Sequence, residues 1–200
     1  DNPVLDALGD FDFDEDIPYI INVNAVDVDE DDLTYLCNTI TPNIICDVNG
    51  TEITLSAPEH YNGDESVEII VTDGFGGQDS EVVNVTINPV NDAPTVIDSA
   101  ESTDEDTLVT ISFNGDDVDG DELTYTILEQ TQNGLIVNNN DGTATYTPNA
   151  EFNGEDSFTY IANDGFLDSE EPPAVVTISV QSVNDNPVLD EIGDLDFDED

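Results

Sequence analysis

The chain repeats its own sequence, and this repetition constrains its fold more than any other feature. Residues 185–200 differ from residues 1–16 at only three positions. A looser copy lies between them, and three equivalent prolines mark steps of 91 and 93 residues: Pro3, Pro94 and Pro187. Repeats of this spacing are typical of modular arrays rather than of an enzyme with one unique centre. We therefore expect two complete domains and the beginning of a third, cut from a longer array.

Each repeat consists of short apolar-polar alternating segments broken by turn residues, such as Leu123/Tyr125/Ile127. The first strand is predicted near residues 3–8 in one repeat and near 95–98 in the other. Seven strands in about 90 residues indicate a β-sandwich with Greek-key connections. The prediction is an all-β chain of tandem seven-stranded sandwiches arranged end to end. The domain bounds are 1–90 and 91–183, and 184–200 form the first strand of a truncated third repeat.

The charge of the chain excludes several functions. It has 49 acidic residues, no lysine and no arginine, which gives a formal net charge of −49. Nothing in it can neutralise phosphate, so nucleic acid and anionic membrane surfaces are excluded as direct partners. Without lysine there is no Schiff base or P-loop, and without basic residues no cationic clamp for an oxyanion. No apolar run approaches the roughly 20 residues of a membrane helix, so we expect no membrane insertion.

The acidic residues recur at equivalent points of the two repeats. The run at 27–31 matches the run at 117–121, and Asp73 matches Asp164. Two carboxylates 4 Å apart repel by about 1 kcal/mol in water and about 4 kcal/mol at an effective dielectric constant of 20. Calcium accepts roughly six to eight oxygen ligands, whereas zinc and copper are poor candidates without a thiolate or histidine cluster. The pattern predicts calcium, and the alternative is a solvated acidic face adapted to high salt.

The two cysteines, Cys37 and Cys46, align with apolar positions of the other repeat, about Ile127 and Val137. This alignment places them on facing strands of one hairpin, with both side chains pointing at the core. They are either two buried free thiols or a cross-strand disulfide. We favour the disulfide, which implies an oxidising, extracellular setting.

The only histidine is His60, and it aligns with Glu151 in the second repeat. Because the repeat does not keep a histidine there, we interpret His60 as a surface loop residue rather than as a general base. Paired carboxylates of the glycosidase type arise by chance among 49 acidic residues. The sequence therefore predicts that this segment is not an enzyme.

Several motifs resemble those of a known family. Residues 90–94 (VNDAP), 117–125 (DVDGDELTY) and 152–160 (FNGEDSFTY) are similar to the cadherin-like tandem repeats of giant bacterial surface and adhesin proteins. Residues 183–187 (VNDNP) resemble the linker of cadherins themselves. The resemblance covers the whole chain and implies a cadherin-like or immunoglobulin-like sandwich.

The resemblance also implies calcium bound at each interdomain joint. Carried over by position, the joint between the two repeats would use Glu15, Glu65, Asn91, Asp92, Asp117, Asp119 and Asp164. The next joint would use Glu105, Asp156, Asn184, Asp185 and Asn186, and a joint with a preceding domain would use Asp27, Asp29 and Asp73. The chain has Pro89 and Ser182 where cadherins have an aspartate, so we expect one or two ions per joint.

Two functions remain as interpretations. The first is a calcium-stiffened extension segment of a secreted or cell-surface adhesin or extracellular filament. Its partners would be neighbouring repeats and other copies of the chain. The second is a cadherin-like module of a secreted protein that binds polysaccharide. The chain has no tryptophan, and we expect its six tyrosines and eight phenylalanines to face the core mostly, which disfavours carbohydrate.

Overall fold

A computed structural model describes residues 1–170 and 172–187. The chain divides into two compact units, unit 1 from Asp1 to Asp92 and unit 2 from Ala93 onward. Residues 188–200, which carry most of the predicted strand of a third repeat, lie outside the described residues. Within the described ranges, no helix is long and apolar enough to cross a membrane.

Unit 1 is built from short strands in which apolar and polar residues alternate. Its strands are β1 (Val4–Leu5), β2 (Phe11–Asp14), β3 (Tyr19–Asn22), β4 (Ala25–Val26), β5 (Thr34–Thr39), β6 (Ile45–Asn49), β7 (Glu52–Ser56), β8 (Gly63–Thr72) and β9 (Gln78–Asn88). One sheet has the order β2-β9-β8-β5 and the other β3-β7-β6, while β1 pairs with β4. β2 runs parallel to β9, and the other pairs are antiparallel.

Unit 2 repeats this topology strand for strand. Its strands are β10 (Thr95–Val96), β11 (Ser99–Asp104), β12 (Val109–Ser112), β13 (Gly115–Asp116), β14 (Thr124–Glu129), β15 (Gly134–Asn138), β16 (Thr143–Pro148), β17 (Gly154–Asn163) and β18 (Ala174–Gln181). The sheets have the orders β11-β18-β17-β14 and β12-β16-β15, and β10 pairs with β13. In unit 1, β1 and β2 are two parts of one interrupted strand, and so are β3 and β4. If each interrupted strand is counted once, each unit has seven strands. The predicted all-β sandwich is confirmed.

The first strand of each unit differs from the prediction. It is divided into two parts that belong to different sheets. The two parts are β1 and β2 in unit 1, and β10 and β11 in unit 2. The sequence prediction ended near residues 8 and 98 and therefore missed β2 and β11. β11 is mostly exposed and polar, and its strand character comes from parallel backbone pairing with β18 rather than from alternation.

The core of each unit lies between its two sheets. In unit 1 it is mainly aliphatic, with Ile53, Leu55 and Ile69 fully buried. In unit 2 aromatic side chains replace some of these, and Tyr146 and Tyr160 are fully buried. Buried tyrosines need a hydrogen-bond partner for the hydroxyl group. The Tyr146 hydroxyl donates to a carboxylate at 2.9 Å, and the Tyr160 hydroxyl accepts from the N–H of Asn114 at 3.1 Å.

Cys37 and Cys46 form a disulfide with a Cα–Cα distance of 6.1 Å, which confirms the predicted bond. The predicted placement within one hairpin is wrong, because β5 pairs with β8 and β6 pairs with β7. The bond instead joins the edge strands of the two sheets. The predicted counterpart Val137 is also wrong by one residue. Cys46 pairs with Leu55 in unit 1, and Ile136 pairs with Tyr146 at the equivalent position of unit 2. Ile136 is buried, with 4% of its surface exposed, whereas Val137 is 48% exposed.

We predict that Cys37→Ala/Cys46→Ala lowers the free energy of unfolding of unit 1 by about 2–3 kcal/mol, because the bond closes a short loop between the sheets. Denaturant unfolding with and without a reductant measures this difference. The double variant should be insensitive to reductant, and the transition of unit 2 should not move. Equal midpoints for the wild type and the double variant would contradict the prediction.

Candidate metal sites at the ends of the units

The loop after β4 gathers three carboxylates in unit 1. One ligand atom from each of Asp27, Asp29 and Asp31 lies within 4.8 Å of the other two. Asp27 Oδ1 accepts from the N–H of Asp29 at 2.7 Å, whereas Asp27 Oδ2 is buried and has no hydrogen-bond partner. A buried acceptor without a donor is costly. This oxygen is therefore placed to coordinate a cation.

The loop after β13 repeats that arrangement in unit 2. Asp117 Oδ1 accepts from the N–H groups of Asp119 and Asp121 at 3.0 and 3.1 Å. Asp117 Oδ2 is buried and has no partner, as in Asp27. The same oxygen is thus left without a donor in both repeats. The donor set consists of hard oxygen atoms, which suits calcium.

A second loop, between the last two strands of each unit, is held by one aspartate. Asp73 Oδ1 accepts from the N–H groups of Phe75, Gly76 and Gly77 at 2.7–3.0 Å. In unit 2, Asp164 Oδ1 accepts from the N–H groups of Phe166 and Leu167. The bond from Phe75 is the main cause that holds the pKa of Asp73 below its ordinary value, although burial acts in the opposite direction. Both predicted ligands therefore also fix a turn.

Two buried glutamates lie at the opposite end, after β2 and β11. Glu15 is 2% exposed; its Oε1 accepts from the N–H of Val90 at 2.7 Å and its Oε2 from Asn62 Nδ2 at 3.3 Å. Glu105 has the equivalent contacts in unit 2, with the N–H of Val183 at 2.5 Å and Asn153 Nδ2 at 3.3 Å. Each glutamate thus ties the segment that leaves the last strand to the body of its own unit.

The predicted ligands Glu65 and Asp156 occupy equivalent positions near the start of β8 and β17, but their contacts differ. Asp156 accepts from the N–H groups of Gln132 and Asn133 at 2.9 and 2.8 Å and from the Tyr146 hydroxyl at 2.9 Å. These donors give it a turn-capping role without an ion. Glu65 accepts from Asn43 Nδ2 at 3.2 Å, and its buried Oε2 has no partner.

Burial alone would raise the pKa of Glu65, but hydrogen bonds from Thr41, Tyr61 and Asn43 together lower it below its ordinary value. The carboxylate is therefore held in its charged form within its own unit. A charged oxygen that is buried without a donor is costly. Glu65 Oε2 is such an oxygen, and a cation could partner it.

The linker residues Asn91 and Asn184 have the same local contact, because each side-chain amide donates to the next residue's carbonyl oxygen, at 3.1 and 3.0 Å. Asp92 lies in unit 1 with its carboxylate 2.7 Å from His60 Nδ1. Asp185 lies beside Glu151 in unit 2 and is the main cause of a raised Glu151 pKa, by charge repulsion. Asn186 is exposed.

Sequence reasoning missed four residues of the end sites. In unit 1, ligand atoms of Asp16, His60 and Asp92 lie within 4.8 Å of one another. In unit 2, the equivalent group is Asp106, Glu151 and Asp185. The alignment of His60 with Glu151 is correct, and His60 is an exposed loop residue as interpreted, but its capacity to bind a metal was not considered. Histidine and glutamate are both metal ligands, and that shared property was the signal available in the sequence.

The fold and these end sites define the class of the protein as immunoglobulin-type β-sandwich repeats. Residues 90–181 match the family model of the cadherin-like domain, and residues 1–86 match that of a bacterial Ig domain. The match over residues 90–181 confirms the cadherin-like resemblance seen in the sequence, and residues 1–86 are similar to a bacterial Ig domain. No curated protein sequence matches it. Cadherin-like domains and a disulfide together indicate an extracellular or surface protein.

Solved structures of low identity share the fold. Human CDH23 EC21-23 matches with a TM-score of 0.55 at 17% identity, over 96% of this chain and 73% of that one. Human Protocadherin-24 EC1-2 matches with a TM-score of 0.50 at 18% identity, over 91% of this chain and 98% of that one. The chain spans only 29% of the endo-fucoidan hydrolase MfFcnA4 of glycoside hydrolase family 107, at 20% identity and a TM-score of 0.37 over 92% of this chain.

We predict that Asp73→Asn lowers the melting temperature of unit 1 at pH 7 in calcium-free buffer, because asparagine keeps an acceptor but loses the charge. The folded pKa of Asp73 is depressed, so its stabilisation is present above the ordinary value of about 3.9 and is lost as pH falls through the folded pKa. The difference between wild type and variant should therefore shrink below about pH 4. Melting curves from pH 3 to 7 test this expectation.

The exposed Asp12 on β2 provides a matched control, since Asp12→Asn removes one charge without removing a turn-capping carboxylate. Its effect should be small at every pH. A constant difference for Asp73→Asn over the whole range would contradict the assignment.

Proposed function

We propose that this chain is a calcium-stiffened extension segment of a secreted or cell-surface adhesin or extracellular filament. The observation that carries the proposal is the pair of buried, unpartnered oxygens at equivalent positions, Asp27 Oδ2 and Asp117 Oδ2. A solvated acidic face would not bury such an atom in the same place twice. A bound cation gives both oxygens a partner, and the hard oxygen donors select calcium.

Charge supports the same role. Successive repeats present carboxylates at their ends, and these repel one another unless cations lie among them. An ion that binds only when two repeats are aligned stabilises that alignment by RT ln(1 + [L]/Kd), about 2.7 kcal/mol at a hundredfold excess over Kd. Calcium binding would then stiffen the joint between two repeats. The partners of this segment would be neighbouring repeats, and in a filament other copies of the chain.

We predict that removal of calcium lowers the unfolding temperature and shortens the maximum dimension measured by small-angle scattering. Asp119→Ala should reproduce the shortening in the presence of calcium, because Asp119 would ligate at the joint between the two repeats. The measurement uses constant ionic strength, and Asp12→Ala serves as the control for the loss of one charge. An unchanged dimension without calcium, or equal protection by sodium, would show that the acidic residues serve salt adaptation instead.

Polysaccharide binding is a second candidate, because one aromatic residue is exposed at the same loop position in each unit. Phe75 and Phe166 are 84% and 78% exposed, whereas the other aromatic side chains of the described residues lie in or against the two cores. Exposed rings at loop tips can stack on sugars. The test is the double variant Phe75→Ala/Phe166→Ala, which should lose retention on immobilised neutral polysaccharide. If the wild type is not retained either, this candidate fails, and the calcium proposal is unaffected.

A further inference from the structure

One end of unit 1 carries Asp16, His60 and Asp92. His60 is the only histidine of the sequence. His60 Nδ1 lies 2.7 Å from Asp92 Oδ2 and 3.5 Å from Asp16 Oδ2. One imidazole nitrogen therefore faces two carboxylates from different segments of the same unit. The His60 side chain is 37% exposed, so the group is accessible from solvent.

The backbone that presents His60 is the same in both units. The N–H of His60 donates to Asp16 Oδ1 at 2.9 Å, and the N–H of Glu151 donates to Asp106 Oδ1 at 3.2 Å. All four residues have positive φ, between 55° and 61°. The same backbone conformation and hydrogen bond therefore hold His60 in unit 1 and Glu151 in unit 2. Only the chemistry of its side chain changes, from carboxylate to imidazole.

We propose that Asp16, His60 and Asp92 form a binding site for a borderline divalent transition cation, with Zn²⁺ as the preferred ion. The sequence alone disfavoured zinc because it has no thiolate or histidine cluster, but His60 with two carboxylates forms a mixed nitrogen and oxygen set of the kind zinc accepts, whereas calcium takes oxygen ligands. The equivalent group of unit 2, with Glu151, has oxygen donors alone, which is the set that calcium takes. Asp92 is also a proposed calcium ligand, but the zinc site depends on His60 and does not require calcium binding.

The distances fit a tetrahedral ion after a small adjustment. Metal–ligand bonds of about 2.0–2.1 Å place tetrahedral ligands roughly 3.4 Å apart. The separation from Nδ1 to Asp16 Oδ2 is 3.5 Å, and the 2.7 Å separation to Asp92 Oδ2 must open as the ion enters. The other ring nitrogen, Nε2, lies 3.8 Å from Glu59 Oε1. This separation is longer than a hydrogen bond, so Glu59 does not fix the orientation of the ring.

Because the chain has one histidine, its imidazole nitrogen resonances report on this site alone. The experiment uses the full chain without an affinity tag, labelled with ¹⁵N, in a buffer that does not bind zinc. Zn²⁺ should shift the Nδ1 resonance of His60 and saturate near one equivalent, and saturating Ca²⁺ alone should not reproduce that shift. An imidazole spectrum that Zn²⁺ leaves unchanged would overturn the proposal.

A pair of exchanges between the repeats gives matched variants. His60→Glu copies the residue of unit 2, so the fold should be kept, and we expect zinc affinity measured by calorimetry to fall at least tenfold. Glu151→His should create a second zinc site of similar affinity. If His60→Glu binds zinc as tightly as the wild type, other carboxylates hold the ion and the proposal is wrong.

Calcium binding, measured on the same proteins, separates this proposal from the function above. His60→Glu should retain calcium binding, because it restores an oxygen ligand. Zinc binding without any calcium effect would refute the calcium-stiffened segment alone. Calcium binding with an unresponsive His60 would refute the zinc site alone.

Discussion

The absence of lysine and arginine is the constraint on which the structure depends. With 49 carboxylates and no basic side chain, a buried acid cannot be neutralised by an ordinary ion pair. Backbone and side-chain N–H groups, hydroxyls, the single histidine, the amino group of Asp1 that pairs with Asp29, and external cations remain. The fold uses the first of these wherever it can: Glu15 takes the N–H of Val90, and Asp73 takes three successive N–H groups of its own loop. These carboxylates hold the loops and ends of the sandwich in place.

The same constraint separates structural acids from ion-binding ones. Asp156 is satisfied by two N–H groups and a tyrosine hydroxyl, so it is stable without a metal. Asp27 and Asp117 use one oxygen for a turn and bury the other without a partner. In a chain with basic residues, a lysine could reach such an oxygen. Here no lysine or arginine is available, so these oxygens stay buried without a donor from a basic side chain.

Much of the fold could be predicted because repetition and alternation are properties of the sequence itself. The position of Cys46 could not, since a shift of one residue moves a side chain from one face of a strand to the other. The register of β6 against β7 decides that Ile136, not Val137, is its counterpart. The inter-sheet disulfide and the divided first strand follow from pairing partners distant in sequence. The three donors around Asp156 could not be predicted either, because a sequence shows carboxylates but not the groups that surround them.

His60 illustrates why a repeat should be compared by chemical capacity rather than by residue identity. A histidine that aligns with a glutamate looks like a position that has lost its role. In both units, however, the same positive-φ turn presents the residue beside two aspartates, one from the end of the first sheet and one from the linker. A scaffold fixed by backbone hydrogen bonds can accept either ligand without refolding. Under the zinc proposal, one substitution at this position would change the preferred ion while the sandwich stays the same.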